Sequence, residues 1–192
     1  MRTLAQKNDY RCCLLEEADW QALRSARLEL RLGENIAFED SAKDAQEAGN
    51  ERYWKNLLKS PTRYFVLYHG KTVAGLTEAG RKDRKLAFNN SYVFRKFRGL
   101  HLGDLLYEAR LNYALQQTRC RSASTTISER NVNSRKAAER NGFQSAGVIP
   151  EDDRFLRYTF DLAAARRRGQ EKDVLRPSRR KPLHVVRNRV PG

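Results

Sequence analysis

Apolar residues recur along the chain with two periods, one typical of strands and one typical of helices. Between 156 and 162 every second residue is apolar, which predicts a half-buried strand. Over 103–117 the apolar residues recur at spacings of three and four, which predicts a helix. Apolar runs at 64–68 and 73–79 flank the sequence His-Gly-Lys-Thr, a pattern typical of a β-hairpin.

The same reasoning extends over most of the chain. Strands are predicted at 9–16, 64–68, 73–79, 85–94, 120–128 and 156–162, and a further short strand is predicted just before 156. Helices are predicted at 19–33, 41–59, 103–117 and 134–141. The resulting order, β-α-α-β-β-β-α-β-α-β-β, shows no internal repeat. It predicts an α/β domain in which helices cover a mixed sheet.

The composition agrees with a folded domain and excludes several classes of protein. Of the 192 residues 40% are hydrophobic, enough to bury a core, so the chain is not disordered throughout. No apolar run reaches the roughly 18 residues of a membrane span, and the N-terminus lacks the apolar stretch of a signal peptide. Cys12, Cys13 and Cys120 form no C-x-x-C or Cys/His motif, so we expect no disulfide framework, no metal and a cytoplasmic location.

Positive charge is concentrated toward the C-terminal end. Lys and Arg number 38 and Asp and Glu number 23, which gives a formal charge of +15. Residues 166–192 hold ten basic and two acidic residues, three of the five prolines and no aromatic residue. We interpret them as a basic, extended or disordered arm that follows a domain at 1–165. Such an arm either binds RNA or the ribosome through phosphates or is a solvated tail without a partner.

The segment 91–106 carries the most informative candidate chemistry. A strand ends at Val93, a basic loop follows, and a helix begins near Gly103. Successive N–H groups in such a loop converge on one point, and the helix N-terminus adds about half a positive charge, so the junction suits a phosphate. Gly99 and Gly103 allow an anion to approach the backbone closely. The same loop, taken alone, is also an ordinary strand-to-helix turn.

The loop Arg98-Gly-Leu-His-Leu-Gly resembles the Arg/Gln-x-x-Gly-x-Gly/Ala loop of the GNAT superfamily of N-acetyltransferases, which holds the pyrophosphate of acetyl-CoA. A later stretch, from Asn131 to Phe143, resembles the family's Asn-x-x-Ala/Ser motif followed by Gly-Phe. The resemblance covers about residues 9–162. It implies the GNAT fold, a mixed, mostly antiparallel central sheet flanked by helices.

The resemblance also implies the contacts of acetyl-CoA. The strand end at Tyr92-Val93 offers backbone to the pantetheine, and the loop holds the phosphates. The implied cofactor-binding residues are Ser91, Tyr92, Val93, Arg98, Gly99, Leu100, His101, Leu102, Gly103, Asp104 and Asn131. His101 stands where the family has its middle glycine. Three interpretations stay open. The Cβ of His101 would clash with a pyrophosphate if the backbone approaches closely or needs a positive φ. The imidazole could instead contact a phosphate, or the residue is a partly exposed loop histidine.

Acetylation of an amine needs a base for the ammonium proton, a donor for the thioester oxygen and a donor for the leaving thiolate. A tyrosine that serves the thiolate in many GNAT members is replaced by Ala138. Two carboxylate bases used elsewhere in the superfamily are also absent, at Thr126 and around Ala87.

The ribosomal-protein N-terminal acetyltransferases of the superfamily are more similar to this chain. The matches are Asn131-x-x-Ser134 and the sequence Arg-Asn-Gly-Phe at 140–143. This branch implies that Ser134 donates to the thiolate and that Asp153, nineteen residues further on, is the base through a water.

Several of these residues also suit a purely structural role. Asn131 and Ser134 are typical helix-capping residues. The acidic run 151–153 is typical of a polar turn, and Glu78 and Glu129 are alternative bases.

Three functions follow from these observations. The leading hypothesis is an acetyl-CoA-dependent N-acetyltransferase, monomeric or homodimeric. It acts by direct transfer on a protein N-terminus, a lysine or an aminoacyl-tRNA, and the basic arm favours an acceptor associated with the ribosome or RNA. The second is a catalytically degenerate GNAT domain that binds RNA or protein, which the residues His101, Ala138 and Thr126 favour. The third is a small-molecule amine acetyltransferase, which needs an acidic acceptor pocket.

Overall fold

The computed structural model describes residues 1–34, 41–150 and 152–169. The strands are β1 (Arg2–Lys7), β2 (Tyr10–Leu14), β3 (Arg63–His69), β4 (Thr72–Lys82), β5 (Lys85–Val93), β6 (Ser122–Ser128), β7 (Gln144–Ile149) and β8 (Asp152–Asp161). The helices are α1 (Trp20–Glu34), α2 (Ser41–Gln46), α3 (Glu51–Lys59), α4 (Leu102–Gln116), α5 (Val132–Arg140) and α6 (Leu162–Arg167). No helix within the described ranges is long and apolar enough to cross a bilayer.

Within the described ranges the strands form one eight-stranded sheet in the order β1-β2-β3-β4-β5-β6-β8-β7. Neighbouring strands are antiparallel except for β5 and β6, which run parallel. The helix α4 makes the crossover between these two, because a parallel pair cannot be joined by a tight turn. The predicted mixed, mostly antiparallel sheet flanked by helices is confirmed.

Three elements differ from the pattern-based prediction, each for a local reason. The strand β1 was missed because it lies at the edge of the sheet, where Ala5 is its one buried residue. The helix predicted at 41–59 is two helices, because the Asn50 side chain caps α3 by accepting a hydrogen bond from the N–H three residues later (3.2 Å). The helix α6 was also missed, and Asp161 caps it in the same way (2.8 Å).

Two clusters of buried side chains lie on opposite faces of the sheet. The α4 face packs strand residues against α4, including Cys12, Phe65, Leu67, Leu86, Phe88, Leu105, Leu106, Ala109 and Tyr158. The α1 face packs alternate strand residues against α1 and α3, including Cys13, Val66, Leu76, Leu23, Leu30 and Trp54. Since strand side chains point alternately to the two faces, both sides of the central strands are buried.

Arg166, the first residue of the predicted basic arm, lies in α6 and anchors it to the body. Its guanidinium group donates hydrogen bonds to the carbonyls of Ala114, Leu115, Gln117 and Cys120 at 2.8–3.0 Å. These carbonyls belong to the end of α4 and the loop after it, where a helix leaves its last acceptors without partners. Residues 170–192 lie outside the described residues, so the extended form of the arm stays a prediction.

Candidate functional site

The parallel strands β5 and β6 are paired over only half their length. Lys85 to Phe88 pair with Ser122 to Thr125, after which β5 continues to Val93 and β6 to Ser128 without a ladder between them. The outer edges of these strand ends remain paired, with β4 and β8. The central sheet is therefore split at one end, and backbone groups on the two inner edges of the split are available to a ligand.

A bulge in β5 lies beside the split. Leu76 pairs with Tyr92 and Glu78 with Asn89, so β5 has one residue more than β4 between these two pairs. Asn90 takes a positive φ of 46° there. Thr77 fixes the bulge through contacts of its hydroxyl with the Asn89 carbonyl (3.3 Å) and the Ser91 hydroxyl (2.8 Å). Because a bulge bends its strand, this one directs the end of β5 away from β6.

The predicted phosphate loop joins the end of β5 to the start of α4. Gly99 has a φ of +81°, and His101, the residue before α4, has a φ of +56°. Among the described residues, none of the N–H groups of 99–103 donates a hydrogen bond. A Cβ added at Gly99 or Gly103 meets no atom within 4 Å, so the space over the loop is open. Consecutive unpaired N–H groups at a helix start form an anion site, and this geometry fits a pyrophosphate.

Arg98 turns back from the loop onto the end of β5. Its Nε donates to the Val93 carbonyl (3.1 Å), its Nη2 donates to the Tyr92 hydroxyl, and the guanidinium lies 5.0 Å from the centroid of the Tyr92 ring. The Leu100 side chain is exposed, whereas Leu102 is buried on the α4 face. Leu102 can therefore meet a phosphate only through its backbone.

Asp104, another predicted cofactor contact, joins the start of α4 to the end of α5. Its carboxylate accepts hydrogen bonds from Arg140 (2.9 and 3.2 Å) and from the Asn141 side chain (3.1 Å). Arg140 thereby offsets a negative charge that lies in the first turn of α4, close to the phosphate loop. This contact positions α5 relative to the loop.

Asn131 and Ser134 lie where β6 leads into α5. Asn131 is the N-cap of α5, and its side-chain oxygen accepts a hydrogen bond from the Ser134 N–H (3.1 Å). The capping role of Asn131 is therefore correct, and it leaves a cofactor contact open. Ser134 is half-buried, and its hydroxyl makes no hydrogen bond to any residue that the structure describes. The hydroxyl can donate to a group in the split.

Asp153 is the second residue of β8. The Tyr158 hydroxyl donates to Glu139 of α5 (3.2 Å), so Tyr158 faces that helix. Between Leu156 and Asp152 the pairing with β7 is irregular, since β8 has three residues there and β7 has none, so the alternation seen at Tyr158 does not extend to Asp153. The Glu129 N–H donates to the Arg154 carbonyl (2.8 Å), which holds the start of β8 beside the chain between β6 and α5. The exposed Asp153 carboxylate has no hydrogen bond or ion pair among the described residues.

The other carboxylates near this end of the sheet are less available. Asp152 accepts hydrogen bonds from the Arg154 backbone N–H (3.1 Å), Nε (2.8 Å) and Nη2 (2.7 Å). The side-chain hydrogen bond of Arg154 holds the pKa of Asp152 below its ordinary value. Glu78 accepts a hydrogen bond from the Asn90 side chain, and Glu151 lies outside the described residues.

Arg110 lies beneath the split and was missed by sequence reasoning. Its side chain is fully buried, and within the described residues its Nη1 and Nη2 have no hydrogen-bond partner. The guanidinium is 4.6 Å from the centroids of both the Phe88 and the Tyr107 rings, and Phe88 is the last residue of β5 that pairs with β6. Burial lowers the pKa of Arg110 to about 10. Its position between the apolar residues of α4 was the signal that could have identified it.

The described residues contain no group of three or more His, Cys, Asp or Glu side chains that could hold a metal ion.

Comparisons with solved structures agree with the fold. A ribosomal-protein alpha-N-acetyltransferase in complex with coenzyme A superposes with a TM-score of 0.61 at 11% identity, over 83% of this chain and 98% of that one. Spermidine N-acetyltransferase from Vibrio cholerae in complex with CoA and spermine gives 0.61 at 16% identity, over 82% and 98%. Mutant forms of the spermidine/spermine N-acetyltransferase of Vibrio cholerae give 0.65 at 18% identity, over 85% and 99%. At these identities the likeness shows the fold.

No curated protein sequence matched the chain in a search. The family model of the acetyltransferase (GNAT) family, by contrast, matches residues 21–143. That match runs from the start of α1 to the end of the Gly-Phe motif after α5, and it includes the phosphate loop and the split. Because it covers well over half of the 192 residues and the fold agrees with it, the chain belongs to the GNAT family of acetyltransferases.

Proposed function

We propose that this protein is an N-acetyltransferase that moves an acetyl group from acetyl-CoA directly to a primary amine on a macromolecule. The observation that carries the proposal is the run of unpaired N–H groups at 99–103, which lies beside the split between β5 and β6. The anion site would bind the pyrophosphate of acetyl-CoA, and the unpaired edge of β5 near Val93 would bind the pantetheine. Two of the superposed structures contain CoA, which supports this choice of acyl donor.

Ser134 and Asp153 are the proposed catalytic residues, and their positions suit two different tasks. Ser134 lies in the first turn of α5, whereas Asp153 lies at the start of β8. Asp153 would take a proton from the ammonium group through a water, and the free amine would attack the thioester carbon. The new C–N bond forms as the C–S bond breaks, and the Ser134 hydroxyl would donate to the departing thiolate.

The proposed acceptor is a protein N-terminus, a lysine or an aminoacyl-tRNA. The sequence match to the ribosomal-protein branch at 131–134 and 140–143 and the excess of basic residues support a macromolecular acceptor. A small polyamine is the second candidate. Glu78 lies on the α1 face, the same face as Leu76 two residues before it in β4. Carboxylates at Glu78 and at the start of β8 favour a polycation.

Binding of acetyl-CoA is the first test. Isothermal titration calorimetry should show saturable binding, and Gly99→Val should weaken it at least about tenfold, because a β-branched residue does not tolerate the φ of +81° at which the loop presents its N–H groups. Gly49→Val is the matched control, since Gly49 has no positive φ and open space around it. No binding at millimolar acetyl-CoA would favour the degenerate GNAT domain.

Turnover tests the catalytic residues. Ser134→Ala and Asp153→Asn should each lower kcat by a factor of about 10² to 10⁴, the usual contribution of a general acid or base, with little change in the affinity for acetyl-CoA. The matched controls Ser25→Ala and Asp9→Asn remove the same groups from exposed sites elsewhere and should leave kcat unchanged. Loss of cofactor affinity in the Ser134 or Asp153 variants would assign them a structural role.

The acceptor is tested by competition. The protein is given acetyl-CoA and a mixture of candidate acceptors, and kcat/KM is compared between the acceptors. These are peptides with free N-termini, peptides with internal lysines, aminoacyl-tRNA and spermidine. A higher kcat/KM for a macromolecular amine is expected. Preference for spermidine would support the second candidate.

A further inference from the structure

A second basic surface lies at the end of the sheet opposite the phosphate loop. The loop follows the C-terminal end of β5, whereas this surface surrounds its N-terminal end. Its residues are Arg81, Lys82, Arg84, Lys85, Arg119 and Arg121, and we call it the hairpin-end surface. All six side chains are exposed.

Backbone contacts bring two distant segments together to form this surface. The β4–β5 hairpin pairs Lys82 with Lys85. The loop after α4 is joined to the hairpin because the Arg121 N–H donates to the Arg84 carbonyl (2.8 Å). The loop is held in turn by α6, whose Ala163 N–H donates to the Arg121 carbonyl (3.2 Å). The cations therefore stand on a scaffold of regular structure.

None of the six side chains has an ion pair or hydrogen bond with any part of the chain that the structure describes. Asp83 is the one carboxylate within 81–85 and 119–121. Asp161, at the neighbouring end of β8 opposite Ser122, caps α6 by accepting a hydrogen bond from the Ala164 N–H (2.8 Å). Further away, after β2, Glu17 pairs with Lys59 (2.9 Å) and Asp19 with the N-terminal amine (2.7 Å). Adjacent like charges repel one another, so a polyanion that neutralises them binds favourably.

The chemistry of the surface favours nucleic acid over an acidic protein. Protein interfaces have apolar or aromatic residues at their centre, but Leu86, Cys120 and Ala123, the apolar residues next to these cations, are fully buried. The surface contains no aromatic residue on which single-stranded bases could stack, so it suits a duplex contacted through its phosphates. The ends of β4, β5 and β6 span about 10 Å at the usual strand spacing, over which a duplex presents about six charges.

We propose that the hairpin-end surface binds the phosphate backbone of an RNA duplex. The choice of RNA rests on the proposed function, since an acceptor on the ribosome or on tRNA is surrounded by RNA. The surface lies away from the split, so a bound duplex would leave the cofactor loop accessible. Arg167 and Arg168 at the end of α6 are exposed, and the seven basic residues of 170–192 follow them in the sequence.

The test measures binding of the full chain to a 20-base-pair RNA duplex, without acetyl-CoA, as a function of salt. A variant with Lys82, Arg84, Lys85 and Arg121 all replaced by Gln is compared with a control in which Arg2, Lys7, Arg52 and Lys71 are replaced by Gln. Both remove two Arg and two Lys from exposed sites. We expect the first variant to raise Kd at least about tenfold and to reduce the magnitude of the slope of log K against log salt by about 3 to 4. The control variant should change Kd less than about threefold.

Several results would overturn the proposal. Equal weakening by the two variants would mean that net charge alone drives binding, and no weakening by either would place binding in residues 170–192. Tighter binding of a DNA duplex of the same sequence, or of poly-glutamate, at the same salt would exclude RNA as the partner. Calorimetry with acetyl-CoA is run on both variants, so that failure of RNA binding is distinguished from failure of the proposed enzymatic function.

Discussion

Arg27 on the α1 face and Arg110 on the α4 face are both buried, yet their guanidinium groups have opposite surroundings. Arg27 is 8% exposed and forms an ion pair with Asp44, at 2.6 Å from Nε to Oδ2. The Tyr53 hydroxyl donates to the other carboxylate oxygen (2.7 Å), so Asp44 has a partner on each side. Arg110 is 0% exposed and forms no ion pair with any described residue. Its Nε donates to the Leu106 carbonyl (3.2 Å), whereas within the described chain Nη1 and Nη2 have no hydrogen-bond partner and the guanidinium lies against the Phe88 and Tyr107 rings.

This difference follows the division of tasks between the two faces. The Arg27–Asp44 pair ties α1 to α2 and has a structural role. The unpaired Arg110 lies where β5 and β6 separate, and locally unfavourable features concentrate at functional sites. Removing one partner of a buried ion pair is strongly destabilising, because it leaves the other charge buried without a partner, whereas removing a buried charge that has no ionic partner is often neutral or stabilising. Loss of Asp44 beside Arg27 and loss of Arg110 itself should therefore change the free energy of unfolding with opposite signs.

The largest effect is expected when the paired arginine loses its partner. Asp44→Asn leaves the Arg27 charge buried against a neutral amide, which should lower the free energy of unfolding by about 3–5 kcal/mol. Chemical denaturation measures it, with the exposed Asp9→Asn as the control, expected within about 0.5 kcal/mol of the parent chain. A loss below about 1 kcal/mol would mean that the pair contributes little to holding α1 and α2 together.

Removal of the unpaired arginine should have the opposite sign. Arg110→Met keeps most of the side-chain volume and removes the buried charge, which should raise the free energy of unfolding by about 1–2 kcal/mol. Replacing buried charges by well-packed apolar residues gains about 1–4 kcal/mol, and the lost contacts with Phe88 and Tyr107 reduce that gain. Arg110→Lys retains the charge and should give no gain. Destabilisation by Met would show that the rings stabilise the cation more than burial penalises it.

A third expectation concerns the pH dependence of the stability difference between Arg110→Met and the parent chain. The pKa of Arg110 is about 10 in the folded chain, below its ordinary value, because burial disfavours the charged form. At pH values between the folded and the ordinary pKa of Arg110, the unfolded chain binds more protons than the folded chain. The free energy of unfolding of the parent chain therefore rises with pH relative to that of Arg110→Met. The difference between the two should be constant below pH 9 and should shrink by about 1 kcal/mol from pH 9 to pH 11. A difference that stays constant over this range would contradict the lowered pKa.

The sequence predicted those features of the fold that depend on neighbouring residues. The hairpin at 64–79 and the strands and helices from 85 to 141 follow from local periodicity and turn residues, and they were placed within about three residues of their bounds. The edge strand β1 was missed because few of its side chains are buried, and the break before α3 depends on one capping side chain, Asn50. Local patterns do not contain this information.

The candidate site was only partly predictable for a related reason. The phosphate loop is continuous in sequence, so Gly99 and His101 could be assigned from a motif. The positions of Ser134 and Asp153 relative to each other depend on the register between β6 and β8, which involves residues far apart in the chain. The burial of Arg110 depends in the same way on how α4 packs over β5, and a helical pattern alone does not specify that contact.

The smallest effect is expected at His101, the second unfavourable feature at the functional end of the α4 face. Within the described ranges the other non-glycine residues with positive φ are Asn8, Asp83 and Asn90, whose short polar side chains tolerate this conformation better than the larger His101 does at its φ of +56°. His101→Gly should therefore raise the free energy of unfolding by up to about 1 kcal/mol, and Asp83→Gly, the matched control, by no more than a few tenths. Calorimetry on the His101 variant shows the functional side. We expect affinity for acetyl-CoA at least equal to that of the parent chain, because the N–H groups of 99–103 hold the phosphates, and weaker binding would mean that the imidazole contacts a phosphate.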